Sequence, residues 1–250
     1  MKTFTSRVEH HYKWWVFIAL TIGLFASVAD FGSVAVALPS IAEYFRTDLP
    51  TAQWVAIGYA LTISALLLPM GRLADIVGLK RIYVIGFSLY VLGAGLSGSS
   101  THVSYLILFR IIQGVGSAMT QGSSIAMLIS AFPTSERGRA LGLLISVVGV
   151  GAIVGPVLGG IIVDVLGWRW VFFTSSVLGA ISTVVAVVIL MENPRIKALK
   201  LSSFDWLGAT LSAGGFIFCN SLFEKCHVCI GRIGEGEQIS KLHTDGSGLV

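Results

Sequence analysis

Two charged side chains stand out in the sequence because each lies inside a long apolar run. Asp30 belongs to the run at about 14–38, and Arg110 belongs to the run at about 104–130. An ionised side chain in a bilayer is costly, so it normally faces a partner or water. Small or polar residues at steps of three or four would share the helix face of each charge: Gly23, Ser27 and Ser33 in the first run, and Gln113, Ser117, Gln121 and Ser124 in the second. We predict that these rows line an aqueous cavity; the alternative is that both charges lie near an interface and snorkel to water.

The composition excludes a soluble protein. Hydrophobic residues make up 54% of the 250 residues and charged residues only 12%, against about 25% charged residues in an ordinary globular domain. Because a membrane helix needs about 20 apolar residues, the chain has room for six or seven spans and for no catalytic globular domain. We therefore predict an all-α membrane protein that is not an enzyme and needs no cofactor. The net charge of +4 comes from short basic clusters between apolar runs, which favours topology signals over nucleic-acid binding.

Six apolar runs are long enough to span a membrane, and a shorter, Gly-broken candidate follows at about 206–223. The six lie at about 14–38, 53–70, 82–98, 104–130, 141–163 and 170–191. The first could instead be a signal peptide, because 35–37 resembles a cleavage site, but its apolar stretch is longer than the apolar region of a signal peptide, it contains Asp30, and five more spans follow. We expect an N-terminal segment at 1–13, a six-span unit at 14–191, a linker with a partial seventh span at 192–224 and a polar tail at 225–250.

The basic residues between the runs indicate the orientation. If the spans alternate, eleven basic residues lie on the side of the N-terminus, namely Lys2, Arg7, Lys13, Arg72, Lys80, Arg81, Arg137, Arg139, Arg195, Lys197 and Lys200. Two, Arg46 and Arg169, lie on the other side. Because cytoplasmic loops carry the excess of Lys and Arg, we predict a cytoplasmic N-terminus.

The fifth run contains a regular row of glycines. Gly151, Gly155 and Gly159 follow one another at steps of four, and small residues at this spacing let two helix backbones approach closely. Pro156 lies within the row and removes one helical hydrogen bond, which favours a bend. We predict a close helix–helix contact along this row.

Three motifs in these runs resemble those of the major facilitator superfamily. The connection after the second run, Gly71-Arg72-Leu73-Ala74-Asp75-Ile76-Val77-Gly78-Leu79-Lys80-Arg81, resembles the superfamily's loop motif. The span 4 motif is matched by Leu108, Arg110, Gln113, Gly114 and Gly116, and the antiporter motif of span 5 by Gly142, Gly151, Gly155, Pro156, Gly159 and Gly160. The drug:proton branch with fourteen spans is similar at Asp30, Ala37-Leu38-Pro39, Gln53-Trp54-Val55, Tyr59, Gly167-Trp168-Arg169-Trp170 and Asp205-Trp206-Leu207-Gly208. The similarity covers about 15–215; it departs at Ile76 and Leu79, where basic residues are usual, and at Thr174-Ser175, where Asn and Pro are common.

The resemblance implies a fold and an activity. The fold would be the six-helix N-terminal half of a major facilitator transporter, built from two inverted three-helix repeats, plus a partial seventh helix. The activity would be proton-coupled efflux of drugs or other small molecules across the plasma membrane by alternating access. The partners would be the lipid bilayer, protons, a small-molecule substrate and a second half-transporter. The alternative is a non-transporting membrane half-protein that is inert or acts by interaction with other membrane proteins.

The resemblance also implies roles for individual residues. The proton-coupling and substrate cavity would contain Asp30, Arg110, Gln113, Ser117 and Gln121. The gating loop would contain Gly71, Arg72, Asp75, Gly78, Lys80 and Arg81, with both glycines allowing a tight turn and the charges latching two halves together. The antiporter motif would pack span 5 tightly and limit proton leak.

The depths of the two buried charges predict that they meet. Asp30 lies eight residues inside Leu38, or about 12 Å at the helical rise of about 1.5 Å per residue. Arg110 lies six residues inside Ser104, or about 9 Å. Spans 1 and 4 hold equivalent places in the two inverted repeats of such a half, so we expect the side chains to couple electrostatically, directly or through water.

The pattern stops after Leu222. A polar segment at 224–229 follows the seventh run where further membrane span would be expected. The tail at 225–250 is Gly-rich and without family similarity, as in a truncated or frame-shifted gene. The three cysteines, Cys219, Cys226 and Cys229, lie close together, which excludes a disulfide framework across the chain. The Cys226 and Cys229 pair lacks a second cysteine pair, so we predict no metal site there.

Overall fold

The computed structural model describes residues 2–189, with side chains for 13–188, together with the isolated position Gly214. Six helices fill this part of the chain, all of them long and apolar enough to cross a membrane, and no strand occurs in it. They are α1 (Lys2–Phe45), α2 (Leu49–Val77), α3 (Leu79–Gly98), α4 (Val103–Ala131), α5 (Arg137–Leu166) and α6 (Arg169–Ile189). The predicted six spans and all-α fold are confirmed. The predicted partial seventh span and polar tail lie outside the described residues, Gly214 excepted.

Short turns with recognisable end signals separate the helices. Asp48 caps α2, where its carboxylate accepts a hydrogen bond from the backbone N–H of Thr51 at 3.3 Å. A hydrogen bond from the Thr51 side chain lowers the pKa of Asp48. At the other end of α2, Gly78 has φ +119° and separates α2 from α3 as a single residue. Gly167, with φ +91°, turns the chain between α5 and α6, where it is followed by Trp168; glycine adopts positive φ without a steric penalty.

Helices α1 and α2 each end seven residues beyond the predicted ends of their apolar runs, at 45 against 38 and at 77 against 70. Helix α1 continues through Pro39 to Phe45, and α2 continues through Gly71 to Val77. Our expectation that Gly71 allows a tight turn is therefore wrong, because Gly71 is helical and only Gly78 turns the chain. Gly71 instead lies against Gly122 of α4, where an added Cβ on Gly122 would come within 2.9 Å of the Gly71 backbone nitrogen.

The six helices pack as two related groups of three. Helix α4 packs mainly against α3 and α2, and α1 packs mainly against α5 and α6. Each first helix of a repeat, α1 or α4, thus packs on the second and third helices of the other repeat. This exchange is the arrangement expected of two inverted three-helix repeats.

Two buried apolar clusters lie at different levels of the bundle. The cluster nearer the beginning of α1 includes Leu20, Tyr83, Phe87, Leu128 and Leu144. The cluster nearer its end includes Val34, Val55, Leu106, Val171 and Phe172. In sequence, Asp30 and Arg110 fall between the members that α1 and α4 give to the two clusters. The charges therefore occupy a polar layer between two apolar ones.

Helix α5 contacts α1 through its glycine row. An added Cβ would lie 2.6 Å from the Ala29 carbonyl oxygen at Gly155 and 2.5 Å from the Ser33 Cα at Gly159. The predicted close contact along the row is confirmed, since no larger residue fits at Gly155 or Gly159. Pro156 does not end α5 and packs against Gly32. The other two glycines of the motif lie outside this contact: Gly142 has open space around it, and Gly160 meets only Val36, at 3.8 Å.

Candidate functional site

Asp30 and Arg110 form an ion pair inside the bundle. The Arg110 Nη1 donates to Asp30 Oδ2 at 2.7 Å, and both side chains are 0% exposed. Gln113, one turn further along α4, bonds both partners: its Oε1 accepts from Arg110 Nη1 at 2.8 Å, and its Nε2 donates to Asp30 Oδ2 at 3.3 Å. The expected coupling of the two charges is therefore a direct contact, and the amide fixes its geometry.

The guanidinium of Arg110 is also enclosed by groups from other helices. Its Nε donates to the Val55 carbonyl oxygen on α2 at 3.3 Å. Its Cζ lies 4.1 Å from the centre of the Tyr59 ring and 5.7 Å from that of Phe172 on α6. Aromatic faces attract a cation through their quadrupole, most strongly where water is excluded. Helices α1, α2, α4 and α6 therefore all contribute to holding this charge.

One atom of each charged group has no hydrogen-bond partner in the part of the chain that the structure describes. Asp30 Oδ1 and Arg110 Nη2 are both buried without a hydrogen bond among the described residues. A buried polar atom left unpaired costs about 1–3 kcal/mol, and more when its group is charged. Asp30 Oδ1 can therefore accept a proton or a hydrogen bond, whereas Arg110 Nη2 can donate a hydrogen bond to a water molecule or a ligand.

Glycines on α4 let its neighbours come close enough to seal the site. A Cβ on Gly114 would lie 2.9 Å from Thr62 Cβ on α2, and a Cβ on Gly116 would lie 2.5 Å from the backbone nitrogen of Tyr90 on α3. Helices α2 and α3 therefore approach α4 on two sides at the level of Gln113. This approach keeps Arg110 away from lipid.

A second set of hydrogen bonds continues along α4 from the ion pair. The Tyr59 hydroxyl donates to Ser117 Oγ at 2.9 Å, and Gln121 Nε2 donates to the same oxygen at 3.0 Å. Ser117 is buried, whereas Gln121 is half-buried. The Ser124 hydroxyl bonds back to the Thr120 carbonyl oxygen of its own helix. The predicted α4 row is thus connected as far as Gln121.

The predicted α1 row divides between different neighbours. Gly23 faces Phe87 and Tyr83 of α3, and the Ser33 hydroxyl donates to the Gly155 carbonyl oxygen of α5 at 2.7 Å. Asp30 faces α4 instead. Our expectation that one face of α1 carries the whole row is wrong, because two successive steps of three, from Ser27 to Asp30 and from Asp30 to Ser33, turn the face by about 120° on a helix with about 3.6 residues per turn.

The charged residues of the loop motif lie at one end of the bundle. Arg72 and Arg81 are exposed, and Asp75 is half-buried on the last turns of α2. Lys80 Nζ donates to the Val187 carbonyl oxygen near the end of α6 at 3.2 Å. This contact attaches the beginning of α3 to α6.

The Gly167-Trp168-Arg169-Trp170 segment forms an aromatic cluster at the opposite end. Arg169 lies over the rings of Tyr44 and Trp168 at 4.4 and 4.5 Å, and its Nη2 donates to the Ser100 carbonyl oxygen at 3.1 Å. The segment thus ties together the ends of α1, α3 and α6. The similar segment at 205–208 and the cysteines of the tail lie outside the described residues, which contain no group of three possible metal ligands.

Sequence reasoning missed two parts of the site, the rings of Tyr59 and Phe172. Tyr59 is one of the residues that resemble the drug:proton branch, but that resemblance does not say which side chain its ring contacts. Phe172 carries none, because a phenylalanine in an apolar run is indistinguishable from its lipid-facing neighbours.

Comparisons with known proteins agree with this architecture. Residues 20–226 match the family described as Major Facilitator Superfamily. The riboflavin transporter RibZ of Clostridioides difficile (strain 630) is 36% identical over 201 residues, which are 80% of this chain and 44% of that protein. The tetracenomycin C resistance and export protein of Streptomyces glaucescens is 31% identical, over 82% of this chain and 38% of that protein. The chain spans less than half the length of these curated relatives.

A solved structure supports the same fold. The inward-facing, occupied form of a bacterial homolog to the human lysosomal transporter Spinster superposes with a TM-score of 0.65 at 20% identity, over 75% of this chain and 46% of that one. Its similarity concerns the fold alone. Together with the family match over most of the chain, the six-helix architecture identifies a multi-pass membrane protein that belongs to the Major Facilitator Superfamily.

Proposed function

We propose that the chain forms the N-terminal half of a proton-coupled exporter of drugs or other small molecules, working by alternating access. The observation that carries this proposal is the fully buried Asp30–Arg110 pair in a bundle of membrane helices. A buried ion pair adds little to stability compared with apolar packing, so its presence favours a functional role. Relatives named for riboflavin transport and tetracenomycin C export support a small-molecule substrate.

Protonation of Asp30 is the step that would drive the cycle. A proton on the carboxylate removes its charge and weakens its hold on Arg110, which keeps its charge at all physiological pH values. The guanidinium then retains Gln113, the Val55 carbonyl and the Tyr59 ring. Loss of the proton on the other side of the membrane restores the pair. Each cycle thus moves one proton and lets α1 and α4 change their contact.

The two other motifs would control the movement of the bundle. The charged residues of the loop motif between α2 and α3 would hold the cytoplasmic side of this half against a second half. The contact of Gly155 and Gly159 with α1 would keep α5 and α1 together and limit proton leak. A second half-transporter would complete the cavity against α2 and α5.

Transport of riboflavin into vesicles tests the proposal. The chain, purified and reconstituted in lipid vesicles with a pH gradient, is expected to pair as two halves and to move riboflavin and protons in opposite directions. Asp30→Asn should abolish both fluxes, because the residue can no longer release a proton. Asp164→Asn, which changes an exposed carboxylate at the end of α5, is the matched control and should leave them intact. Proton-linked flux that survives Asp30→Asn would refute the role of Asp30. Absence of flux for the wild-type chain would favour the non-transporting alternative.

The proposed orientation places the N-terminus in the cytoplasm of a cell whose plasma membrane holds the chain. Single cysteines at positions 80 and 137, in a background without the three native cysteines, should resist an impermeant thiol reagent added to intact cells. Cysteines at positions 48 and 102 should react. Labelling at position 80 or 137 in intact cells would reverse the orientation.

A further inference from the structure

Phe31 is an exposed aromatic residue directly beside the buried Asp30. Its side chain is 44% exposed, and its ring stacks on Tyr59 of α2 with centroids 6.3 Å apart and planes 23° apart. Tyr59 is only 1% exposed. The stacked pair therefore has one ring at the surface of the bundle and one ring in its interior.

Tyr59 connects that surface ring to the ion pair. Its ring centre lies 4.1 Å from the Arg110 guanidinium carbon, and its hydroxyl donates to Ser117 at 2.9 Å. Any displacement of the Tyr59 ring therefore alters the environment of the charge that holds Asp30. Through its side chain, Phe31 reaches the charged layer by way of Tyr59, in addition to its backbone connection to Asp30.

The surface around Phe31 lies between α2 and α5. Phe31 stacks on α2, while the next residue, Gly32, packs on Pro156 of α5. Ala35, one turn later, is exposed as well. The exposed part of the Phe31 side chain is therefore the part that a flat molecule would contact.

We propose that Phe31 is a contact residue for a flat aromatic ligand and that Tyr59 is a positioning residue that carries ligand occupancy to the Asp30–Arg110 pair. This inference rests on the proposed export function, whose substrate class it names. Aromatic rings prefer offset stacking with centroids about 4.5–7 Å apart. A ring placed on Phe31 extends the existing stack, and pressure on Tyr59 changes its contact with Arg110.

The groups that face Asp30 make Tyr59 the link between ligand and proton. Its charged neighbour is Arg110 on α4, and its titratable neighbours are Tyr59 on α2 and Tyr90 on α3. The charged residues of α5 and the one of α6 in the described part of the chain lie at the helix ends: Arg137, Arg139, Asp164 and Arg169. Arg110 and Tyr59 are therefore the groups through which a ligand at Phe31 acts on Asp30.

Binding of acridone, a flat neutral fluorescent dye, tests the contact. Dye fluorescence is titrated with the purified 250-residue chain in detergent. Phe31→Leu should raise the Kd about two- to tenfold, the range expected for loss of one aromatic stacking partner. The matched control is Tyr105→Leu, because Tyr105 is 54% exposed and stacks on Phe109 with centroids 6.5 Å apart and planes 26° apart. Tyr105 lies on α4 twelve residues before Ser117. Equal effects of the two substitutions would show that the dye only partitions onto exposed rings, and would overturn the contact.

The response of Asp30 tests the role of Tyr59. In the wild-type chain, acridone should change the rate at which a hydrophobic carbodiimide modifies Asp30, with Asp164 as the internal control carboxylate. Tyr59→Phe keeps the ring and should keep this response, whereas Tyr59→Leu should abolish it. If acridone does not change the rate of Asp30 modification in the wild-type chain, the proposed effect of ligand binding on Asp30 is overturned without any variant. A response that persists in Tyr59→Leu would overturn it as well.

These measurements fail separately from the export proposal. Dye binding and carbodiimide reactivity are measured in detergent, where no gradient or transport is needed. A chain that binds the dye through Phe31 but moves no riboflavin retains this inference and loses the proposed function. A chain that transports riboflavin but whose Phe31→Leu variant binds the dye as the wild type does retains the proposed function and loses this inference.

Discussion

Helices α4 and α5 have nearly the same length, 29 and 30 residues, and both carry glycines at their contacts, yet they are buried differently. Half of the most apolar segment of α4 lies inside the bundle, against 17% of the corresponding segment of α5. The α4 glycines face two helices, since Gly114 meets α2 and Gly116 meets α3. The α5 glycines Gly151, Gly155 and Gly159 face only α1.

This difference explains where a charge can be held. On α4, two close neighbours exclude lipid from both sides, so Arg110, Gln113 and Ser117 find polar and aromatic partners within the bundle. On α5, the faces away from α1 expose apolar side chains such as Ile153 and Val165. A charge in the middle of α5 would therefore have no enclosing neighbours in the described bundle, which is strongly unfavourable inside a membrane. The glycines of α4 thus let two helices enclose a polar layer, whereas the glycines of α5 form a contact with one helix.

The largest expected effect comes from breaking the α5 contact. Gly155→Leu would push a branched side chain into the backbone at Ala29 and should destabilise the chain by about 3 kcal/mol or more, at the upper end of overpacking effects. Gly142→Leu on the same helix has open space and should change stability by less than about 0.5 kcal/mol. Unfolding of both variants in detergent measures the difference. Equal stabilities would mean that the glycine row does not form the α1–α5 contact.

A smaller pair of substitutions sharpens the comparison of α4 with α5. Gly116→Ala places a Cβ within 2.5 Å of the Tyr90 backbone nitrogen, and should cost about 1–3 kcal/mol because backbone cannot move aside. Gly151→Ala meets only side chains at 3.4 Å, so the better helix propensity of alanine should leave it neutral or stabilised by up to about 1 kcal/mol. The same unfolding assay tests both. A Gly151→Ala variant that is the less stable of the two would contradict the two-sided packing of α4.

The sequence predicts the framework well because its signals are local. Apolar runs predict six spans, and the spacing of Gly151, Gly155 and Gly159 predicts a close contact. The meeting of Asp30 with Arg110 follows from their matching depths. The continuation of α1 through Pro39 is not predictable in this way, because Pro39 removes only one backbone hydrogen bond and its neighbours decide whether the helix continues. The helical conformation of Gly71 and the stacking of Tyr59 on Arg110 depend on contacts with α4. A local sequence pattern does not show which helix becomes the neighbour.

The smallest expected effect concerns Asp48, outside the spans. The Thr51 side chain lowers the pKa of this cap residue, so the folded state favours its ionised form. The resulting stabilisation is present above the unfolded pKa of about 3.9 and is lost as the pH falls through the lower folded pKa. Asp48→Asn should remove this acid-range dependence of the unfolding temperature, whereas Asp164→Asn should keep it. An Asp48→Asn variant with an unchanged acid profile would show that the cap contributes nothing to it.

A double-mutant cycle between Asp30 and Arg110 tests the central claim, that the polar layer of α4 exists to hold this pair. Asp30→Asn, Arg110→Gln and the double variant are unfolded in detergent beside the wild-type chain. Each single change leaves a buried polar partner behind and should be strongly destabilising. The double variant should be more stable than the sum of the single losses predicts, by about 1–3 kcal/mol. Losses that add within about 0.5 kcal/mol would mean that the two charges act independently and would contradict the account.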